Sequence, residues 1–211
     1  MTDSWKDARF EASGLELWRG DRRLFTRMEF ATGSGELLHI TGANGTGKTS
    51  LLRVICGLTL PETGEVRWRG QPVARSRADF HSELTYVGHR ESLKADLSAV
   101  ENLSFELGLR RDLGSGDMQA ALETVGLARA TDVPVRSLSA GQKRRVALAR
   151  CLLTEAPLWI LDEPYTNLDV AGRELVDHLM TQHLEGGGQV LLVAHQNHGV
   201  RQPGTRTLEM A

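Results

Sequence analysis

The octapeptide Gly42-Ala43-Asn44-Gly45-Thr46-Gly47-Lys48-Thr49 constrains the fold more than any other stretch of the chain. It follows the apolar run "ELLHIT" and leads into "SLLRVICGL", where Leu51, Leu52, Ile55 and Leu58 share one helical side. The pattern G-x-x-x-x-G-K-[ST] between a strand and a helix is the P-loop. Its glycines let backbone N–H groups turn inward on phosphate oxygens, and the helix adds its positive end. Lys48 is expected to reach the β- and γ-phosphates as a point charge, and the Thr49 hydroxyl to ligate Mg²⁺. Ser50, at the helix start, belongs to the same binding set.

A P-loop needs a parallel sheet behind it, and the sequence supplies one. "LTYVG", "PLWILDEP" and "QVLLVAHQ" are short apolar runs separated by helical periodicity, the pattern of parallel strands covered on both faces. Short strands and turns fill residues 8 to about 41, including "LELWRG" and "GDRR", and "PETGEVRWRGQPV" reads as turn, strand, turn, strand. From about 89 to 150 the period is helical, with Ser98 and Glu101 as one S-x-x-E start signal and "GSGDMQAALETVGLARA" as a further amphipathic helix. The expected organisation is one α/β domain. A core with its β subdomain takes about 1–88 and 151–211, and a helical subdomain is inserted at about 89–150.

Ligands of such sheets gather at the carboxyl ends of the strands. Asp162 and Glu163 follow "LWIL", and His195 follows "VLLVA". Adjacent carboxylates there suit two jobs: Asp162 for Mg²⁺, and Glu163 as the base for a water attacking the γ-phosphate. His195 then serves as a hydrogen-bonding partner of the γ-phosphate and of Glu163, completing a catalytic set of Lys48, Glu163 and His195.

"LSAGQKRR" is a second anion site. Ser139 and Gln142 have capping-box spacing, and Ala140 and Gly141 expose backbone donors at a positive helix end. Lys143, Arg144 and Arg145 come next, where a helix start prefers acids. An anion there offsets the like-signed charge. One P-loop holds one triphosphate, so this site needs a second ligand or the same ligand carried by another copy.

Composition excludes several alternatives. Net charge is −2, with basic residues scattered, which argues against nucleic-acid binding. No apolar run approaches the roughly 20 residues of a membrane span, and the N-terminus lacks a signal-peptide core. Cys56 and Cys151 sit far apart in apolar helical contexts and read as core thiols of a reducing compartment.

Together these residues resemble the nucleotide-binding subunits of ABC transporters: the P-loop at Gly42–Thr49, the signature at Leu138–Gln142, the acidic motif at Leu158–Glu163, the D-loop at Asn167-Leu168-Asp169 and the switch histidine at His195. The resemblance implies the P-loop ABC-ATPase fold, with a mainly parallel core sheet, an antiparallel β subdomain and an inserted helical subdomain. It implies ATP and Mg²⁺ as ligands. It also implies a head-to-tail dimer with a second copy, in which Ser139, Gly141, Gln142 and Asp169 serve the partner's ATP. Within the family, "YVGHRESLKADLSAVENLSFELGL", the Ala140 form of the signature and His195-Gln196 are similar to ATPase subunits of bacterial cytochrome c maturation (heme exporter) systems. That implies a peripheral subunit on the cytoplasmic side of the inner membrane, bound to integral permease subunits and serving heme delivery. Another ABC exporter's ATPase, or a soluble ABC ATPase, are the alternatives. No Cys or His motif reads as a heme site.

Two positions depart from or leave open the family pattern. Arg90 stands where the family carries a glutamine that contacts Mg²⁺ and water. A guanidinium has no acceptor and cannot ligate Mg²⁺. Either Arg90 turns to the γ-phosphate or a membrane partner, or His89 or Glu91 takes part. For adenine stacking, Trp18 and Arg19 are both candidates.

Overall fold

The structure, a computed structural model, describes residues 9–108, 114–195 and 197–210. Gln196 and Leu109, both within the resembling stretches, lie outside them. Two sheets organise the chain. The first is antiparallel, in the order β2-β1-β4-β5, from β1 (Phe10–Arg19), β2 (Arg22–Thr32), β4 (Thr63–Trp68) and β5 (Gln71–Pro72). The second is parallel throughout, in the order β6-β7-β8-β3-β9. Its strands are β3 (Leu37–Gly42), β6 (Leu84–Val87), β7 (Leu158–Asp162), β8 (Gln189–Val193) and β9 (Thr205–Met210). The helices are α1 (Lys48–Ile55), α2 (Arg77–Ser82), α3 (Ala99–Leu107), α4 (Ser115–Thr124), α5 (Ala140–Leu153) and α6 (Val170–Glu185).

Alternation along the parallel strands builds two cores. Leu37, Trp159, Leu161, Val190 and Leu192 face α3 to α6. Leu38, Ile40, Leu158, Ile160, Leu191 and Val193 face α1 and the antiparallel sheet. Successive strand residues point to opposite faces, so a strand buried on both sides reads as an unbroken apolar run. Each fully buried Leu, Ile or Val contributes about 1.5–3 kcal/mol, so these short strands are held from both faces. Cys56 and Cys151 are buried thiols as expected, and burial pushes both up to about 12.

Three local readings change. Helix α1 stops at Ile55, so Leu58 leaves the helical face and is exposed. Gly57 ends that helix with φ 68°, a left-handed turn that Leu cannot continue as helix. Helix α2 and strand β9 have no counterpart in the sequence reading. Helix α2 has only 6 residues, and β9 alternates too weakly to announce itself.

The helical stretch is fastened by satisfied polar groups. The Asn102 side-chain amide, buried at the start of α3, donates to the carbonyls of Lys94 (3.0 Å), Leu97 (3.2 Å) and Ser98 (2.9 Å). Its oxygen accepts from the Lys94 N–H at 2.7 Å. Ser98 and Glu101 form the expected capping box. Asn102 therefore pins the loop that returns from the strand ends to α3.

One buried histidine makes the fold sensitive to acid. His183 of α6 stacks flat on Trp159 of β7, with ring centroids 3.8 Å apart. Burial pushes its pKa down to about 4. The unfolded chain binds this proton near pH 6.5 and the folded chain does not until about pH 4, so stability falls as pH drops through that window. The loss approaches about 3 kcal/mol at the acid end. Denaturation midpoints measured at pH 7 and pH 4.5 should differ in the native protein, and the difference should shrink in His183→Gln.

Candidate functional site

Adjacent strands β6, β7, β8 and β3 run parallel, so their carboxyl ends open on one cleft of about 1100 Å³. Its wall includes Asn44, Gly45, Gly47, Lys48, Thr49 and Ser50 from the loop, Asp162 and Glu163 after β7, and His195 after β8. Sequence order could only suggest that these groups meet; strand order makes them neighbours.

The loop owes its shape to two glycines. Gly42 has φ 147°, and a Cβ there would sit 2.6 Å from the Met210 carbonyl oxygen of β9. Gly47, with φ 101°, is the residue from which α1 starts. Both conformations are open to glycine and costly for other residues. Lys48 Nζ donates to the carbonyls of Gly42 (2.7 Å) and Ala43 (3.0 Å), which leaves one of its three donors. Thr46 Oγ1 donates back to Ala43 at 3.0 Å, so Gly42, Ala43 and Thr46 shape the loop from behind. Arg22 adds a clasp from the first hairpin, with Nη2 donating to the Gly45 carbonyl at 3.2 Å.

Charge in the cleft contrasts with the charge of the whole chain. Arg19, Arg22, Lys48, Arg53 and Arg90 line it against Asp162 and Glu163. That excess attracts a polyanion. The two acids are pressed together: burial first, then the neighbouring Glu163 charge, raises the Asp162 pKa, while His89 and Arg144 oppose the rise. A cation beside them relieves the strain. Thr49 and Asp162 offer the hard oxygen donors that Mg²⁺ accepts alongside phosphate oxygens.

Glu163 is held in an unusual backbone state. Its φ is 52°, left-handed for a non-glycine residue. Its N–H donates to the Val193 carbonyl at 2.7 Å, extending the β7–β8 ladder one residue beyond the strand. Oε1 is buried without a hydrogen-bond partner. The His195 Nε2 lies 3.5 Å away from that oxygen, and the His195 N–H donates to Oε2 at 3.4 Å. A buried carboxylate oxygen with spare acceptor capacity beside an imidazole is suited to take a hydrogen bond from water. His39 of β3 steadies the approach, with Nε2 hydrogen-bonded to the Ala194 carbonyl at 3.0 Å.

Arg19, and not Trp18, faces the cleft. Leu15 and Leu17 are buried on one face of β1, and Arg19 continues that face. Trp18 projects from the other face, where its indole N–H donates to Glu16 at 2.7 Å. Arg90 is exposed on the cleft wall beside His89.

The signature residues lie elsewhere. Among the described residues, Ser139, Gly141, Gln142 and Asp169 are absent from the cleft wall. Ser139 and Gln142 form the predicted capping box, with the Gln142 N–H donating to Ser139 Oγ at 3.2 Å and the Ser139 N–H to Gln142 Oε1 at 2.8 Å. Asp169 caps α6 through the Gly172 N–H at 2.8 Å. The three cations after Gln142 need correction. The sequence sets all three at the helix start as like-signed charge for an anion to offset. Instead, Arg144 is fully buried and Arg145 pairs with Asp169 at 3.1 Å. Lys143 comes closest to the expected role: its ammonium has no partner among the described residues. Helical spacing explains the difference: Ala147, Leu148 and Cys151, three, four and seven residues after Arg144, are buried on the same side of α5.

Tyr86 was missed. Its hydroxyl donates to Asp162 Oδ2 at 3.5 Å from the neighbouring strand β6. The sequence marks it only as a residue of an apolar strand; its reach to Asp162 comes from the pairing of β6 with β7.

Comparison with known proteins agrees with this geometry. Residues 25–166 match the model of the family described as ABC transporter. The cytochrome c biogenesis ATP-binding export protein CcmA of Methylococcus capsulatus is 50% identical over 196 residues, covering 92% of this chain and 95% of the relative. The protein of the same name from Escherichia coli (strain K12) is 46% identical over 200 residues, covering 95% of each. Among solved structures, an ATP binding subunit of an ABC transporter superposes with TM-score 0.81 at 22% identity, over 93% of this chain and 87% of that one. A bacterial Atm1-family ABC exporter with ATP bound gives 0.80 at 20% identity, over 89% of this chain and 35% of that one. With a glycine-rich loop, an acidic pair and a histidine at the ends of adjacent parallel strands, the chain belongs to the ABC transporter family, among its ATP-binding proteins.

Proposed function

We propose that this chain is the ATP-hydrolysing subunit of a bacterial ABC transporter complex that drives the heme-handling step of c-type cytochrome biogenesis. It works as a head-to-tail dimer on the cytoplasmic side of the inner membrane, held there by integral permease subunits. Among the described residues no helix is long and apolar enough to cross a membrane, in keeping with a peripheral attachment. The pathway follows from the CcmA relatives, which match nearly the whole chain. The observation that carries the mechanism is the split site: the loop and acids share a cleft that the Ser139 helix start does not reach. A second copy supplies what the cleft lacks.

The residues then divide the work. Gly42 to Ser50 cradle the phosphates through backbone N–H groups, and Lys48 turns from the loop carbonyls to the β- and γ-phosphates. Thr49 and Asp162 would hold Mg²⁺, whose charge would offset that developing on the phosphates. Glu163 Oε1 accepts a proton from the attacking water, and His195 fixes the carboxylate and the γ-phosphate. Arg19 stacks on adenine. Ser139, Gly141 and Gln142 of the partner present a positive helix start to the γ-phosphate, and Asp169 lies at the same interface. Residues 89–150 act as the helical subdomain that carries this surface.

Three variants test the scheme. Glu163→Gln should lower kcat by roughly 100-fold or more and accumulate an ATP-bound dimer on size exclusion; normal turnover would remove Glu163 from its role. Ser139→Arg should spare the melting temperature and ATP binding yet cut turnover by roughly 100-fold; a dimer that still closes on ATP rules out the split site. Arg90→Gln should leave ATP binding intact and shift the Mg²⁺ dependence of hydrolysis or its stimulation by membrane partners. Superimposable Mg²⁺ titrations and stimulated rates would count against a role for Arg90.

A further inference from the structure

Arg144 is a charged side chain with none of its surface exposed. Its partners are three backbone carbonyls, one after β6 and two on either side of Glu163. Nη1 donates to Gly88 at 2.6 Å, Nη2 to Asp162 at 2.8 Å and Nε to Pro164 at 3.1 Å. Gly88 follows β6 directly and precedes the cleft residues His89 and Arg90. Asp162 and Pro164 flank Glu163, so one planar guanidinium brackets the residue whose backbone is left-handed. A strained backbone state persists only where its surroundings over-determine it, and this bracket, with the Glu163 N–H bond to Val193, does so.

The same side chain hangs from the helix that Ser139 starts. Ser139 and Arg144 lie little more than one turn apart, in a helix whose first turn is closed by the Lys143 N–H bond to the Ser139 carbonyl at 2.9 Å. A second contact runs alongside. A Cβ on Gly141 would lie 2.8 Å from the Asn167 carbonyl oxygen, so the helix start also rests on the turn that follows the acids. The start of α5 therefore cannot shift without moving the carbonyls around Glu163.

We propose that Arg144 is a positioning residue that holds Glu163 in its cleft-facing backbone state and ties it to the helix start at Ser139. An ATP phosphate docking on Ser139 of one copy then sets the acid of that same copy, and the two sites of the dimer fire cooperatively. This rests on the head-to-tail reading above. It extends that reading by naming the connection between the two half-sites within each chain.

The test uses the full chain with Arg144→Gln and Arg144→Lys. Lysine keeps the charge but has no planar fork to span three carbonyls. Both variants should bind a fluorescent ATP analogue within about 2-fold of the native protein and keep KM within about 2-fold, while kcat falls roughly 10-fold or more. The Hill coefficient for ATP, expected near 2 for two coupled sites, should fall toward about 1. Native kcat and Hill coefficient in either folded variant overturn the proposal. So does a variant that loses melting temperature, KM and kcat together but keeps its cooperativity, because that is a purely structural role. Failure of both variants to fold has the same meaning. A native protein that hydrolyses ATP without an ATP-dependent dimer instead overturns the head-to-tail reading, and with it this extension, before any variant is compared.

Discussion

The parallel pairing of β7 with β8 and of β8 with β3 is the constraint on which the site depends. The registers Leu158↔Gln189 and Leu37↔Val190 bring the three strands to an end at nearly the same level. Slipping one strand by a residue would turn its buried side chains to the wrong face. Both faces are packed, so the register is held tightly. The loop, the acids and the histidine inherit that precision, because each begins within two residues of a strand end.

Backbone strain and polar satisfaction then refine what the ladder provides. Glu163 occupies a left-handed state beside an extra ladder bond to Val193. Arg144, His39 and Asn102 are buried polar side chains with hydrogen-bond partners, and each binds backbone next to the cleft or on the loop leaving it. A buried donor costs little when satisfied and much when orphaned, so these three favour one arrangement of the loops over others of similar packing. The buried Glu163 Oε1 lacks such a hydrogen bond, and it lies where the proposed chemistry needs an open acceptor.

Much of this was legible in the residues. The P-loop, both capping boxes, the buried cysteines and the apolar strands follow from spacing and period, which are local properties. Elements without a local signature were not legible: α2 is a helix of 6 residues, β9 alternates weakly, and Leu58 carried the helical period past a glycine that ends the helix. Tyr86 and Arg22 reach the cleft through a neighbouring strand and a hairpin, and no spacing in the sequence encodes that reach.

The case of Lys143, Arg144 and Arg145 separates the two levels of information. Residue order is enough to place a capped helix start at Ser139 with three cations behind it, because capping is a matter of residues three apart. Packing against distant segments is what buries Arg144 against three carbonyls, pairs Arg145 with Asp169 and leaves Lys143 without a partner among the described residues. The helix sets their directions about 100° apart, but what each direction meets depends on strands 18 to 56 residues away in the chain. Long-range packing decides which charge is desolvated, and that cannot be read from charge order alone.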